Sequence, residues 1–91
     1  MIRTVLLAGR SGLHLRAAAR IAEAAARQPA KVTVRTGPRP AAVPAESVLS
    51  LLGLGALCGT ELILEAYGPG ADEALEALAA LLAVDPDVVD V

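Results

Sequence analysis

Apolar and polar positions alternate with different periods in successive blocks of the chain, and each change of period marks an element. Residues 2–8 (IRTVLLA) are a run of branched aliphatics closed by Gly9, which predicts a strand. Gly9-Arg10-Ser11-Gly12 reads as a loop. Residues 15–28 (LRAAARIAEAAARQ) hold strong helix formers with no internal Gly or Pro, and Pro29 stops them. Residues 31–36 alternate polar with apolar, as a half-buried strand does. Gly37-Pro38 turns the chain, and residues 40–43 predict a short third strand, kept at an edge by its prolines. Residues 47–52 predict a short helix with Ser47 as N-cap and Gly53 as its stop. A Gly-punctuated connection leads into a strand over residues 60–67 (TELILEAY), closed by Gly68-Pro69-Gly70. Residues 71–83 place Leu75, Leu78, Leu81 and Leu82 on one helical stripe, with Asp72, Glu73 and Glu76 toward the positive end. The order β-α-β-β-α-β-α predicts one sheet with the helices on a single face, an α+β two-layer sandwich.

Composition narrows this. With 91 residues the chain is one domain, 55% of it hydrophobic, and the lack of Trp and Phe requires an aliphatic core. The lone cysteine, Cys58, allows no internal disulfide, suits a reducing cytosol, and reads as a small apolar filler. One cysteine and one histidine exclude multi-Cys and multi-His metal sites. No segment is long and apolar enough to span a bilayer, and residues 1–4 open no secretory signal, so a cytoplasmic location is expected. All eight Lys and Arg residues fall within the first 39 positions beside one acid, Glu23; the other acids follow with no base. Such a split favours an anionic ligand or an acidic partner. Nucleic acid is disfavoured, because nothing aromatic is present to stack on bases beyond one Tyr.

His14 carries the candidate chemistry. It stands directly before the Ala-rich helix and after a loop containing Gly9 and Gly12. A helix start leaves backbone N–H groups without internal acceptors and carries about half a positive charge, which favours a bound phosphate. The same field disfavours a second positive charge and leaves a ring nitrogen with its lone pair, a nucleophile. Arg16 adds a planar clamp for phosphoryl oxygens. On chemistry alone the ordinary reading, His14 as a helix-start residue and Arg16 as a solvated charge, is favoured, since helix-start histidines are common.

The run Ser11-Gly12-Leu13-His14-Leu15-Arg16-Ala17-Ala18 resembles the signature of HPr, the histidine phosphocarrier family of the phosphoenolpyruvate:sugar phosphotransferase system. A second stretch, Ala45-Glu46-Ser47-Val48-Leu49-Ser50-Leu51-Leu52-Gly53-Leu54-Gly55, is similar to the family's regulatory-serine segment. The resemblance covers roughly residues 1–84, leaving 85–91 as a short acidic tail. It implies an open-faced β-sandwich: a four-stranded antiparallel sheet with three helices on one face. It further implies that His14 takes a phosphoryl group on Nδ1 from a phosphohistidine of enzyme I and passes it to a histidine of an enzyme IIA component. No metal or other cofactor is implied. Backbone N–H groups of Leu15, Arg16 and Ala17 would cradle the phosphoryl oxygens. Ala17 departs from the signature, which has Pro there; Ala restores a donor but loosens the turn. Glu46 stands where the family often has Lys.

Ser47 has two readings, a simple helix cap or the target of a serine kinase/phosphorylase, and Glu46 beside it favours the cap. Partner docking is expected through Leu15, Leu49 and Leu52 with Arg16, Arg20 and Arg27 as a basic rim, although Leu52 is equally readable as core. A monomer is the simplest assembly. The rival reading is a diverged regulatory binding protein that uses this surface with little phosphoryl turnover.

Overall fold

The computed structural model describes residues 1–37 and 41–85. Seven elements follow in the expected order: β1 (Ile2–Leu6), α1 (Leu15–Ala26), β2 (Val32–Arg35), β3 (Val43–Pro44), α2 (Val48–Gly53), β4 (Glu61–Ala66) and α3 (Ala71–Leu82). The strands form one antiparallel sheet in the order β1-β4-β2-β3, with Thr4 opposite Ile63 and Thr33 opposite Glu65. Three helices cover one face, giving the open-faced α+β sandwich. The strands and α1 are shorter at their ends than their sequence runs. β3 is displaced to Val43–Pro44, and residues 38–40, which contain the start of the expected strand, lie outside the described residues.

Period-two burial explains the sheet. Leu62, Leu64 and Ala66 of β4 and Val32 and Val34 of β2 point under the helices and are buried. Against them α1 packs Ala17, Ala18, Ile21, Ala22 and Ala25, and α3 packs Ala71, Ala74, Leu75, Leu78, Ala79 and Leu82. Leu81 is only partly buried, on the flank of the stripe. A helix face built on alanine lets the backbone approach the sheet closely, which is how a core without Phe or Trp reaches full packing.

Two expectations need correction. Gly53 does not stop α2: it is the last helical residue, Leu54 is the cap, and the chain reverses at Gly55, whose φ of +63° is the left-handed conformation suited to glycine. Cys58 is not filler but exposed, because it sits in the tight turn where Thr60 N–H bonds the Leu57 carbonyl at 2.9 Å and side chains point outward.

The open face carries a small polar cluster. Glu65 accepts from Tyr67 Oη at 2.8 Å and from Arg35 Nε at 3.1 Å. The Tyr67 hydroxyl, then the Arg35 guanidinium, hold the Glu65 carboxyl below its ordinary value; the same bond to Glu65 holds the Tyr67 phenol above its own. A lowered carboxyl contributes stability above its unfolded value, and that contribution fades as pH falls through the folded one. Thermal melts between neutral pH and about pH 3 should therefore fall less steeply for Glu65→Gln than for the native chain. Equal slopes would remove this cluster from the acid limb.

Candidate functional site

The site is built by a loop that the sheet and α2 hold in place. Beyond β1, Leu7 N–H donates to the Thr60 carbonyl at 2.9 Å and Ala8 N–H to the Leu82 carbonyl at 3.0 Å, which ties the chain to β4 and to the end of α3. Gly12 then turns with φ +73°, so that Leu13 N–H reaches the Ala56 carbonyl at 3.0 Å and the Leu13 side chain buries. No other residue suits Gly12: a Cβ there would stand 2.7 Å from the Ala56 carbonyl oxygen. This clamp delivers His14 to the N-cap of α1, one residue before the helix begins.

His14 is the N-cap, with extended backbone (φ −82°, ψ 178°) and its carbonyl accepting the first helical bond from Ala18 N–H at 2.8 Å. Its half-buried imidazole turns back over the helix start, where Nδ1 accepts from Ala17 N–H at 3.4 Å. The ring does what a Ser or Asp side chain does at most helix starts. The N–H groups of Leu15, Arg16 and Ala17 precede that first helical bond and so face the N-terminal end of α1. No acid lies in the first turn of α1, whereas α3 carries Asp72 and Glu73 in its own. The positive end of α1 is thus not neutralised by its own side chains.

The residues that the sequence named for docking divide. Leu15 and Leu49 are 65% and 82% exposed, while Leu52 is half-buried against the core. Leu57, 70% exposed in the connection whose Ala56 carbonyl clamps the loop, adds to the exposed leucines and went unnoticed in the sequence because turns rarely signal such residues. Arg16 and Arg20 are exposed; Arg20 also borders a shallow hollow with Leu7, Leu13, Ile21 and Leu82. Arg27 sits at the C-cap of α1, about 20 Å along the axis from His14, and pairs with Glu23.

The basic cluster read from the sequence contracts in space. Arg3 pairs with Glu76 at 2.8 Å, Arg10 with Asp85 at 3.2 Å, Lys31 with Glu46 at 3.0 Å and Arg35 with Glu65 at 3.1 Å. Packing of the acidic second half, on β4, α3 and the segments before α2 and after α3, against the basic first half brings these bases to acids. Asp85, assigned to the tail, is held by Arg10; residues 86–91 lie outside the described residues. Ser47 caps α2, its Oγ accepting from Ser50 N–H at 3.2 Å.

Residues 2–83 match the family model described as the PTS HPr component phosphorylation site. The chain belongs to the HPr family. It is 40% identical over 81 residues to the phosphocarrier protein HPr of Streptomyces coelicolor, covering 89% of this chain and 86% of that protein. It is 39% identical over 80 residues to the phosphocarrier protein NPr of Shewanella violacea, covering 88% and 86%. The crystal structure of HPr from Bacillus anthracis superposes with a TM-score of 0.83 at 29% identity, covering 90% of this chain and 95% of that one. The HPr-family fold therefore extends across nearly all the described elements.

Two substitution sets check the construction of the site. Gly12→Ala should lower stability by about 2–3 kcal/mol in chemical denaturation, through left-handed strain and the contact with Ala56. Leu49→Ser should change stability by no more than about 0.5 kcal/mol, whereas Leu51→Ala, one turn-face away in the core, should cost about 2–5 kcal/mol.

Proposed function

We propose that this HPr-family chain is a cytoplasmic, monomeric phosphocarrier that takes a phosphoryl group on His14 from phospho-enzyme I and donates it to a histidine of an enzyme IIA component. The observation that carries the reading is the half-buried imidazole of His14 capping a helix whose first turn holds no acid. In the transfer the Nδ1 lone pair attacks phosphorus, the P–N bond to the donor imidazole breaks, and its electron pair returns to the donor ring. Two imidazoles exchanging a phosphoryl group need in-line placement and charge stabilisation, with little acid–base work. The N–H groups of Leu15, Arg16 and Ala17 and the Arg16 guanidinium supply that stabilisation.

Partners dock on the exposed Leu15 and Leu49, with Leu52 beneath and Arg20 on the rim; Arg27 extends that rim only for a partner that follows α1 to its far end. Leu15 follows His14 in the chain and Leu49 lies on α2, which packs against α1, and both stay exposed and open to a partner. Ser47 serves as a cap, and its role as a serine kinase target is subordinate, since its hydroxyl oxygen already accepts a backbone bond. Lys31 offsets the charge of Glu46 beside it.

Incubation with phosphoenolpyruvate and enzyme I should give an acid-labile, base-stable label that disappears in His14→Ala. Arg16→Ala should slow phosphoryl transfer about 10- to 100-fold, the worth of a charge-assisted contact, with the melting profile unchanged. Absence of label with competent enzyme I would point instead to a regulatory binding protein.

A further inference from the structure

One contact at the site depends on the residue where this chain departs from the family signature. The Ala17 N–H points at His14 Nδ1 at 3.4 Å. Proline at that position would have no N–H to offer. A ring nitrogen that accepts an N–H must present its lone pair, so the proton of the neutral imidazole resides on Nε2. The distance is at the long end for such a bond, which orients the ring yet gives up the lone pair readily. Ala17 itself is fixed: its side chain is buried between α1 and the sheet, and its N–H precedes the first helical bond, so serving His14 deprives no helical carbonyl.

We infer that the Ala17 N–H is a positioning group with two successive acceptors. At rest it selects the Nε2-protonated tautomer of His14 and presents Nδ1 for attack. After attack it passes to a phosphoryl oxygen and holds the product. The inference rests on the phosphocarrier reading for its second half only. Atom by atom, the Nδ1 lone pair that accepted the Ala17 N–H becomes the new N–P bond, the donor's P–N bond breaks with its electrons returning to the donor ring, and the proton on Nε2 stays in place. The N–H then loses its first acceptor and gains an anionic oxygen. A bond to a charged oxygen is about twice as strong as a neutral one, so the donor at position 17 favours the phosphorylated state over the free one. This chain accordingly holds its phosphoryl group more tightly than the same chain with proline at 17.

The experiment compares the native chain with Ala17→Pro, which removes the donor, and Ala17→Gly, which keeps it. Nitrogen-15 NMR of labelled His14, taken above its titration, should show Nδ1 as the unprotonated nitrogen in the native chain and in Ala17→Gly. Ala17→Pro should lower the tautomer ratio about two- to fivefold. In an equilibrium with enzyme I, phosphoenolpyruvate and pyruvate, Ala17→Pro should shift the phosphoryl group toward enzyme I about three- to tenfold, with Ala17→Gly close to native. A proton found on Nδ1 of the native chain overturns the inference whatever the variants do. Equal tautomer ratios and equal partition in Ala17→Pro overturn it while leaving the carrier reading intact. Failure of enzyme I to label the native chain overturns the carrier reading and the second half with it, and the tautomer ratios still decide the first.

Discussion

A side chain that caps a helix is usually given over to that task, and here the capping group is also the one that the phosphocarrier reading makes reactive. His14 closes the start of α1 through Nδ1, and its ring orientation and its place among the first-turn amides both follow from that one bond. The cap in turn needs the chain to arrive extended at residue 14. That arrival depends on Gly12 turning left-handed and on Leu13 being hooked to the Ala56 carbonyl. Folding and reactivity therefore share a constraint: the strand-to-helix loop must dock on the α2–β4 connection before the imidazole can face the helix start.

The remainder of the molecule makes that constraint affordable in a small protein. Alanines on α1 allow close packing on the sheet without aromatic bulk, and none of the described core residues is polar or charged. Ion pairs between the basic first half and the acidic second half are mostly exposed and add little individually. Their main consequence is subtractive. By pairing Arg3, Arg10, Lys31 and Arg35 with acids they break up the basic block of the first 39 positions, which does not form one continuous surface.

Much of this was legible in the sequence. The alternation over β4, the alanine-rich α1 and the leucine stripe of α3 are strong periodic signals, and their types and order agree with the structure. The Gly-Leu-His-x-Arg run at a helix start identified the family before any geometry. What the sequence did not disclose depends on tertiary placement. Gly53 and Gly55 are equally plausible stops by composition, and only the backbone torsion distinguishes them. Cys58 looks apolar in a list and is outward in a turn. The charge split along the chain pointed to an anionic ligand or an acidic partner, but sequence halves do not foretell which bases the fold will pair with acids of its own. The donor role of Ala17 was visible as a departure from the signature, but its acceptor, Nδ1, required coordinates.

The most direct test of the account is an amide NMR comparison of the free and the enzymatically phosphorylated chain, with phosphorus coupling used to locate the modified nitrogen. Phosphorus coupled to Nδ1 of His14, with the largest downfield amide proton shifts at Leu15, Arg16 and Ala17, is the expected result. Coupling to Nε2, or shifts concentrated away from the start of α1, would contradict a phosphoryl group received by the open end of that helix.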